Sequence, residues 1–346
     1  MQANKPLPEG LTLDTIFSKF STDTKARKFL ETWLWPTGPT CPRCNSNSPV
    51  RVYKMHGDSI RPGLYNCREC ARAFTVTVGT IFEDSHIPLR KWLVAWFLLC
   101  SSKKGISSLQ LQRMLDLGSY RTALFMTHRI RHALKETSFV PLNGTVEVDE
   151  TFVGGRVVGK GKGYRGNKAN VVSLVQRDGT KRSMVVERVN ANTLEVAIHE
   201  HTTKDAHVMT DDANIYLQVH KTRRHDSVHH RSKDYARKES GYIAHTNTVE
   251  SSFSLLKRGV YGTFHSVSKK HLPLYLAEFD HRWNNPQGHR RRAHRGWDRK
   301  GEGQATHVSG VKIQVSPGGL RRPKLTPSSI RTRIARKLDT IQRRRI

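Results

Sequence analysis

The spacing of apolar residues divides the chain into regions of different predicted structure. Residues 37–80 contain only short strand-like stretches, whereas residues 81–140 have apolar side chains at helical spacing. Residues 141–288 alternate between apolar and polar positions before the pattern returns to helical spacing. We therefore expect three folded units, preceded by a helical segment over residues 1–36.

The alternating region predicts a mixed sheet with helices packed on it. Strands are predicted at 146–149, 170–176, 183–189, 207–210 and 227–229, and helices at 192–201 and 246–258. Three strands followed by alternating helices and strands is the order of ribonuclease H. The expected fold class is therefore α+β and multidomain, in which a zinc ribbon and a helix-turn-helix precede a ribonuclease H-like α/β catalytic domain.

Residues 81–140 predict the helix-turn-helix. Helices at 106–115 and 120–134 flank a turn in which Gly118 is expected to take a positive φ and Ser119 to cap the second helix. The apolar positions expected on the buried faces are Leu109, Leu111, Met114, Leu115, Ala123, Leu124, Ile130 and Leu134. The polar positions expected outside are Arg121, Thr122, His128 and Arg129. An ordinary helical hairpin has the same pattern and stays an alternative.

Four of the five cysteines form two matched pairs within residues 37–80. Cys41 and Cys44 make one C-x-x-C pair, and Cys67 and Cys70 make the other. Two such turns that face each other supply the four thiolates of a tetrahedral zinc site, whereas a redox motif needs only one pair. We expect a structural Zn²⁺ here. Cys100 follows an apolar helix and is expected in the core instead.

No stretch of the sequence predicts a membrane span or a signal peptide. The longest apolar run, residues 92–100, is much shorter than the roughly twenty residues that a span needs. The first ten residues lack the basic-then-apolar order of a signal peptide. We expect a cytoplasmic protein in a reducing compartment.

The charge of the chain is unusual in its sign. Lysines and arginines number 59 against 29 acids, which gives a formal net charge of +30 at pH 7. Such a field favours a polyanionic partner, double-stranded DNA before an anionic membrane. Residues 290–346 alone hold 17 of the basic residues and three of the acids. We expect residues 289–346 to be a flexible basic tail that contacts phosphates without reading sequence.

Three carboxylates stand where the predicted fold would bring them together. Asp149 ends the first strand, Asp211 ends the fourth, and Glu250 lies on the helix that follows. Such a set suits two Mg²⁺ or Mn²⁺ ions, which take oxygen ligands and support in-line displacement at phosphorus. Lys257 lies two helical turns beyond Glu250 and is expected to hold a phosphate.

Five stretches of the sequence form a recognisable set. They are VEVDETFVGG (146–155), TD before Tyr216 (210–211), HTNTVE (245–250), LKRGVYGTFH (256–265) and LAEFDHRWNN (276–285). Together they resemble the zinc-ribbon, ISXO-like DDE transposases of bacterial insertion sequences, and the resemblance extends over residues 15–286. It implies an enzyme that binds terminal inverted repeats, cleaves the element ends and joins them to target DNA, as a homo-oligomer on DNA. By this resemblance Asp149 and Asp211 are the first two metal ligands.

The third metal ligand stays open between two residues on one helical face. Part of the family that the chain resembles has Asn in this role, and the sequence offers both Asn247 and Glu250. We favour Glu250, because an ionised carboxylate is the better ligand for a hard cation. Asp212 stays a substitute for Asp211.

Two neighbours of these acids, Glu150 and His245, each have two alternative positions relative to the site. Glu150 is expected on the opposite face of its strand from Asp149, unless the strand has already ended. His245 either lines the cleft or takes part in the entry to the helix that carries Glu250.

Two other functions would use the same residues. A domesticated or inactive relative would keep the zinc and the basic surface but act as a DNA-binding regulator, and a ribonuclease H-like nuclease would cut without strand transfer. The presence of every candidate ligand favours an enzyme over the regulator, whereas the nuclease shares the same site and stays an alternative. After residue 286 the likeness to the family ends, which predicts a divergent or frame-altered C-terminus.

Overall fold

The computed structural model of the protein describes residues 12–136, 139–155, 159, 166–228, 236–239 and 242–285. The predicted basic tail, residues 289–346, lies outside these ranges. The elements of the N-terminal half are α1 (Leu13–Lys19), α2 (Asp23–Leu34), β1 (Val52–Lys54), β2 (Tyr65–Cys67), β3 (Arg72–Phe74), α3 (Leu89–Ser101), α4 (Ser108–Met114) and α5 (Tyr120–Ala133).

Strands β1, β2 and β3 form a small antiparallel sheet beside the cysteines. Each strand has three residues. The ring of Trp35 meets Tyr65 and Phe74 edge-on, with centroids 5.2 and 5.8 Å away. So small a core buries little apolar surface, and a unit of this size ordinarily needs a metal or another cross-link to fold.

The five helices of the N-terminal half share one hydrophobic core. Ile16 of α1 and Leu30 of α2 are buried in it together with Trp92 and Trp96 of α3. The predicted segment 1–36 therefore contributes helices to the same core as the helix-turn-helix region. Cys100 packs against this core, as expected, and burial raises the pKa of its thiol to about 12. Within the described residues, none of the helices is apolar over a length sufficient to cross a bilayer.

Helices α4 and α5 form the predicted pair, with three corrections. Ser119 caps α5, because its hydroxyl accepts from the backbone N–H of Thr122. The positive φ of the turn, however, belongs to Asp116 (48°), because the turn reverses there and not at Gly118. Leu109 and Met114, predicted to be buried, are 44% and 54% exposed, because the core takes only the Leu111 side of the short α4.

The C-terminal half begins after residue 140 and contains the larger sheet. Its elements are β4 (Thr145–Val153), β5 (Ala169–Gln176), β6 (Lys181–Val186), α6 (Ala191–His201), β7 (His207–Asp211), a 3₁₀ turn (Asn214–Tyr216), α7 (Val219–Thr222), β8 (His225–Val228), β9 (Arg237–Glu239), β10 (Tyr242–Ala244), α8 (Asn247–Gly259), a π-helical turn (Val260–Phe264) and α9 (Leu272–Asn284).

The five-stranded sheet has the order β6-β5-β4-β7-β8. The pairs of β4 with β5 and of β5 with β6 are antiparallel, whereas β7 pairs parallel with β4 and β8 parallel with β7. This is the sheet expected from the order of predicted elements, and the α+β, multidomain fold class is confirmed. Strand β4 is longer than predicted and ends at Val153, and the hairpin of β9 and β10 was not predicted.

Helices cover both faces of this sheet. Val146 and Val148 of β4 pack toward α6, where Leu194 and Ile198 are buried. Val153, from the other face of β4, joins a separate core with residues of α8 and α9. Because side chains alternate along a strand, Glu147, Asp149 and Thr151 share the face of Val153 and lie under α8 and α9.

Candidate active site and zinc site

The four paired cysteines converge in the N-terminal ribbon. The sulfur atoms of Cys41 and Cys70 lie 3.7 Å apart, and those of Cys44 and Cys67 lie 3.5 Å apart. All four ligand atoms are within 4.8 Å of one another. Two turns from opposite ends of the ribbon thus offer four sulfurs, the donor set that structural zinc takes in tetrahedral sites. The residues present fit Zn²⁺.

Asp149 and Asp211 lie on the adjacent strands β4 and β7 of the larger sheet. The parallel pairing of the two strands ends where Glu147 stands opposite Met209. Asp149 and Asp211 each come two residues later, so both side chains are on the sheet face covered by α8. Asp211 is the last residue of β7, and its Oδ1 accepts from the backbone N–H of Ala213, 3.2 Å away.

Glu250 approaches the two aspartates from α8. It lies in the first turn of that helix, and the hydroxyl of Thr246 donates to its Oε1 over 3.0 Å. Burial, together with the charges of Glu150, Asp211 and Glu250, raises the pKa of Asp149 to about 7, although the hydrogen bond from the Glu150 N–H acts to lower it. The charges of Asp211 and Glu250 thus act on Asp149 within one partly buried site.

The remaining predicted residues of this site lie at its edge. Asn247 is the first residue of α8 and is exposed, and Lys257 is exposed near the end of the same helix. Asp212 follows the end of β7. Within the described parts of the chain, the cysteine sulfurs meet the criterion of three or more ligand atoms within 4.8 Å of one another, and the three carboxylates do not. The carboxylates are therefore spaced more widely than the sulfurs of the ribbon.

Glu150 points away from this site. Strand β4 continues to Val153, so the alternation holds, and Glu150 faces the side of α6 as expected. The hydroxyl of Tyr216 donates to its Oε2 over 2.6 Å. Burial and the charge of Glu150 raise the pKa of Tyr216 well above its usual value, which keeps this hydroxyl a donor.

Glu147 has a central structural role that the sequence alone did not reveal. Its side chain has no exposed surface and accepts from the backbone N–H groups of Thr248 and Val249 at 2.8 and 3.0 Å. The hydroxyl of Thr248 and the Nε of Arg177 also donate to it, at 2.9 and 2.8 Å. Glu147 therefore caps α8 from inside the sheet and holds the first turn, in which Glu250 lies.

His245 lies beside this cap. Its Nδ1 is 3.1 Å from Oε1 of Glu147, and its backbone carbonyl accepts from Arg177. The pKa of Glu147 is lowered, because His245, Arg177 and the N–H of Val249 together outweigh the effect of its burial. Of the two roles considered for His245, the geometry supports the entry to the helix. The role of Glu147 is only slightly indicated by the sequence, in which it is an acid two residues before Asp149 on the same strand face.

Two models of known protein families match the chain. Residues 141–284 match the model of the ISXO2-like transposase domain, and residues 21–73 match the transposase zinc-ribbon domain. Residues 141–284 therefore form an ISXO2-like transposase domain, and residues 21–73 form a transposase zinc ribbon. The two matched regions contain the larger sheet with its three acids and the four cysteines, so the resemblance noted in the sequence is confirmed.

Two individual proteins are similar to this ISXO2-like chain. An uncharacterized protein in the transposable element ISH50 of Halobacterium salinarum is 27% identical over 278 residues, covering 75% of this chain and 90% of that protein. A solved structure of a simian T-cell lymphotropic virus intasome in complex with a PP2A regulatory subunit matches with 14% identity and a TM-score of 0.27, covering 68% of this chain and 77% of that chain. A score this low carries no argument about the fold.

Proposed function

We propose that this transposase cleaves the ends of its insertion sequence and joins them to target DNA by metal-dependent phosphoryl transfer at Asp149, Asp211 and Glu250. The observation that carries the proposal is that Asp149 and Asp211 lie on adjacent parallel strands, and that the charges of Asp211 and Glu250 both act on Asp149. Oxygen ligands in this number suit Mg²⁺ or Mn²⁺. When bound, two such ions would activate the attacking hydroxyl or water and stabilise the leaving oxygen.

The residues around the acids have separate roles in this proposal. The raised pKa of Asp149 means that the carboxyl is partly protonated near neutral pH, and that it must release this proton before it binds a cation. Lys257, exposed on the same helix as Glu250, is available to hold a DNA phosphate as a point charge. Glu250 is preferred to Asn247 as the third ligand because its charge acts on Asp149, whereas Asn247 is exposed at the helix start.

The catalytic proposal is tested with DNA that carries the element's own ends. Purified protein is incubated with this DNA, a target plasmid and Mg²⁺ or Mn²⁺, and both cleavage and joining are measured. Asp149→Asn, Asp211→Asn and Glu250→Gln should each lower both steps by roughly a hundredfold or more, whereas Glu200→Gln, an exposed acid of α6, should leave them unchanged.

Each alternative has its own outcome in this assay. Full strand transfer by Asp149→Asn or Asp211→Asn would refute the mechanism. Activity that is lost in Asn247→Ala but kept in Glu250→Gln would make Asn247 the third ligand. Cleavage without joining would indicate a nuclease, and binding without cleavage would indicate a DNA-binding regulator.

We also propose that α5 contacts the element ends, together with the zinc ribbon, in an oligomer assembled on DNA. At the start of α5, Tyr120 and Arg121 are exposed, as is Phe125 one turn later. Such a surface offers a cation for phosphate or guanine and apolar groups for thymine methyls. Arg121→Met should weaken binding to the ends by roughly tenfold or more, and Lys135→Met, exposed beyond the other end of α5, should not. Equal binding by both variants would contradict this assignment.

A further inference from the structure

Helix α5 has two ends in different surroundings. Arg121 is exposed in its first turn, whereas Arg131 in its last turn has no exposed surface. About 15 Å of rigid helix joins the two, at 1.5 Å per residue. The same helix that presents side chains to DNA therefore carries a charge into the protein interior.

The buried end of α5 is held by a carboxylate of the catalytic domain. Nε of Arg131 lies 2.5 Å from Oε2 of Glu278 on α9, and Nη1 of Arg282 lies 2.6 Å from Oε1 of the same residue. Arg282 also donates to the carbonyl of Leu99, in the last turn of α3, over 3.2 Å. Arg131, Glu278 and Arg282, hereafter the triad, join α3 and α5 to α9.

The triad is poorly explained as a device for stability alone. Two guanidinium groups share one carboxylate, and Nη1 and Nη2 of Arg131 have no hydrogen-bond partner among the residues that the structure describes. The guanidinium group of Arg131 instead faces aromatic rings, with its Cζ 4.0 Å from the ring centroid of Tyr275 and 5.2 Å from that of Phe264. A buried ion triad often stabilises no more than apolar residues of similar size would. A charged hydrogen bond, unlike an apolar contact, also fixes direction and distance.

Helix α9, which carries Glu278, is also hydrogen-bonded to the larger sheet, so the triad fixes the position of α3 and α5 relative to that sheet. Two residues after Glu278, the carboxylate of Asp280 accepts from the N–H and the hydroxyl of Ser183 at 2.7 and 2.8 Å. Ser183 of β6 pairs with Ser173 of β5, and Ser173 pairs with Asp149 of β4. Three short steps therefore connect Asp280, two residues beyond Glu278, to the first acid of the site.

The connection between α3 and α4 closes on the triad as well. Gly105 has a φ of +87°, and a Cβ at this position would lie 2.5 Å from the ring of Phe264 and 3.1 Å from Oε1 of Glu278. Phe264 ends the π-helical turn that extends α8, the helix of Glu250. The backbone of the DNA-binding half thus touches both the triad and the end of the catalytic helix.

We propose that the triad is a positioning device that sets the distance and rotation between the base pairs contacted by α5 and the bond cleaved at the acids. This inference rests on the proposed function, because it assumes that α5 binds the element ends. The positioning residues touch no DNA. They act through the helices that they hold together.

The test uses Arg131→Met in the full-length protein. This change removes the surplus charge and leaves the pair of Glu278 and Arg282 balanced, so the buried site keeps no uncompensated ion. Lys135→Met is the matched control, since it removes an exposed cation one turn further along the chain. Normal zinc content and circular dichroism, and end-binding affinity within about threefold of wild type, would show that the variant folds and binds.

Cleavage is then measured on element ends with about 5 or about 10 base pairs inserted between the segment bound by α5 and the cleaved bond. Because DNA turns once in about 10 base pairs, these insertions rotate the bond by about half a turn and about a full turn. Wild type and Lys135→Met should cut the 5-pair insertion roughly a hundredfold more slowly than the unaltered end. Arg131→Met should lose less than about tenfold and should cut at several neighbouring bonds. If Arg131→Met cuts one bond with the wild-type dependence on spacing, the inference is wrong.

A calorimetric measurement tests the triad independently of catalysis. In the wild type the N-terminal helices and the catalytic domain should unfold in one transition, because they are tied at the triad, and in Arg131→Met they should separate into two. A single, unchanged transition in the variant would overturn the inference. If the wild type cleaves no element ends, the proposed function fails, and the calorimetric result still decides whether the triad couples the two halves.

Discussion

At the scale of single residues, Glu147 carries a charge without any exposed surface because donors surround it. Thr248 contributes two of them, Val249 and Arg177 one each, and His245 lies beside it. Its hydrogen bonds fix where α8 starts, and α8 fixes where Glu250 stands relative to Asp149. Glu147, which is not itself a proposed metal ligand, thus determines the spacing of the proposed ligands Asp149 and Glu250.

Glu147→Gln should therefore damage both stability and activity. The amide keeps the shape but places an NH₂ group against donors and leaves the positive charge of Arg177 without its partner. We expect a loss of about 2–4 kcal/mol in the free energy of unfolding, measured with urea. End cleavage should fall even under conditions in which the variant is folded. Glu187→Gln, an exposed residue, is the control, and equal stability of the two variants would contradict the cap.

Asp149 predicts a pH dependence of stability in the absence of magnesium. Its folded pKa of about 7 lies above the usual 3.8, so between these values the folded state binds more protons than the unfolded state. The free energy of unfolding should fall as pH rises through this window, and the loss should be complete above pH 7.

Asp149→Asn should remove this dependence. In zinc-replete buffer free of magnesium, the variant should be more stable than wild type at pH 8 by a few kcal/mol at most, since one pKa unit corresponds to about 1.4 kcal/mol. The two proteins should converge near pH 4. Urea titrations at both pH values measure the difference, and parallel pH profiles would refute the raised pKa.

Sequence reasoning found residues whose role depends on their own position along a strand or helix. Alternation put Asp149 and Glu150 on opposite faces of β4, and the structure agrees. It did not single out Glu147, because a buried acid in a strand is recognised only by its donors, about a hundred residues away. Arg131 and Glu278, 147 residues apart, could not be paired from spacing for the same reason.

At the scale of elements, the zinc ribbon should depend on its metal while the rest of the chain does not. Its three strands of three residues enclose a small core, whereas the helices around Trp92 and Trp96 have a large one. Cys44→Ser should lower zinc content from about one ion per chain to none and should expose Trp35 to fluorescence quenchers. The helical content should change little.

Cys100→Ala is the matched control for the zinc prediction. This residue lies outside the four-cysteine cluster and packs against the helical core. The variant should retain about one zinc per chain and wild-type fluorescence. Loss of zinc in Cys100→Ala, or full retention in Cys44→Ser, would show that the cluster is not the binding site.

Elements were predictable from the sequence where their periodicity was long and regular. The five strands of the larger sheet and helix α6 are close to their expected places. The hairpin of β9 and β10 has only three residues in each strand, which is too short for alternation to stand out. The exposure of Leu109 and Met114 depends on which side of α4 meets the core, and seven residues of helix do not decide this from sequence.

At the scale of the whole molecule, the net charge of +30 is shared between the folded body and residues 290–346. The last 57 residues supply nearly half of it and lie outside the residues that the two family models match. A variant that ends at residue 289 should bind DNA of any sequence more weakly. The slope of log affinity against log salt should become shallower by several units, at about 0.9 per lost phosphate contact.

The same truncation should leave the site of cleavage unchanged. The acids, the zinc ribbon and α5 all lie before residue 286, in the described part of the chain, and we expect them to keep their positions in the truncated protein. Affinity is measured by filter binding over a salt series, and cleavage is mapped on the element ends. Loss of cleavage at salt concentrations where the truncated protein still binds would show that the tail has a catalytic role.

The contact of Arg131 with Glu278 also has a consequence for protein engineering. Exchanging the first 140 residues for those of a relative would be the natural way to retarget such an enzyme to new ends. The incoming α5 would then bring its own residue to the carboxylate on α9, and an unsuited side chain would leave Glu278 mismatched in a dry interface. Functional chimeras should therefore require that the residues at positions 131 and 278 be exchanged together.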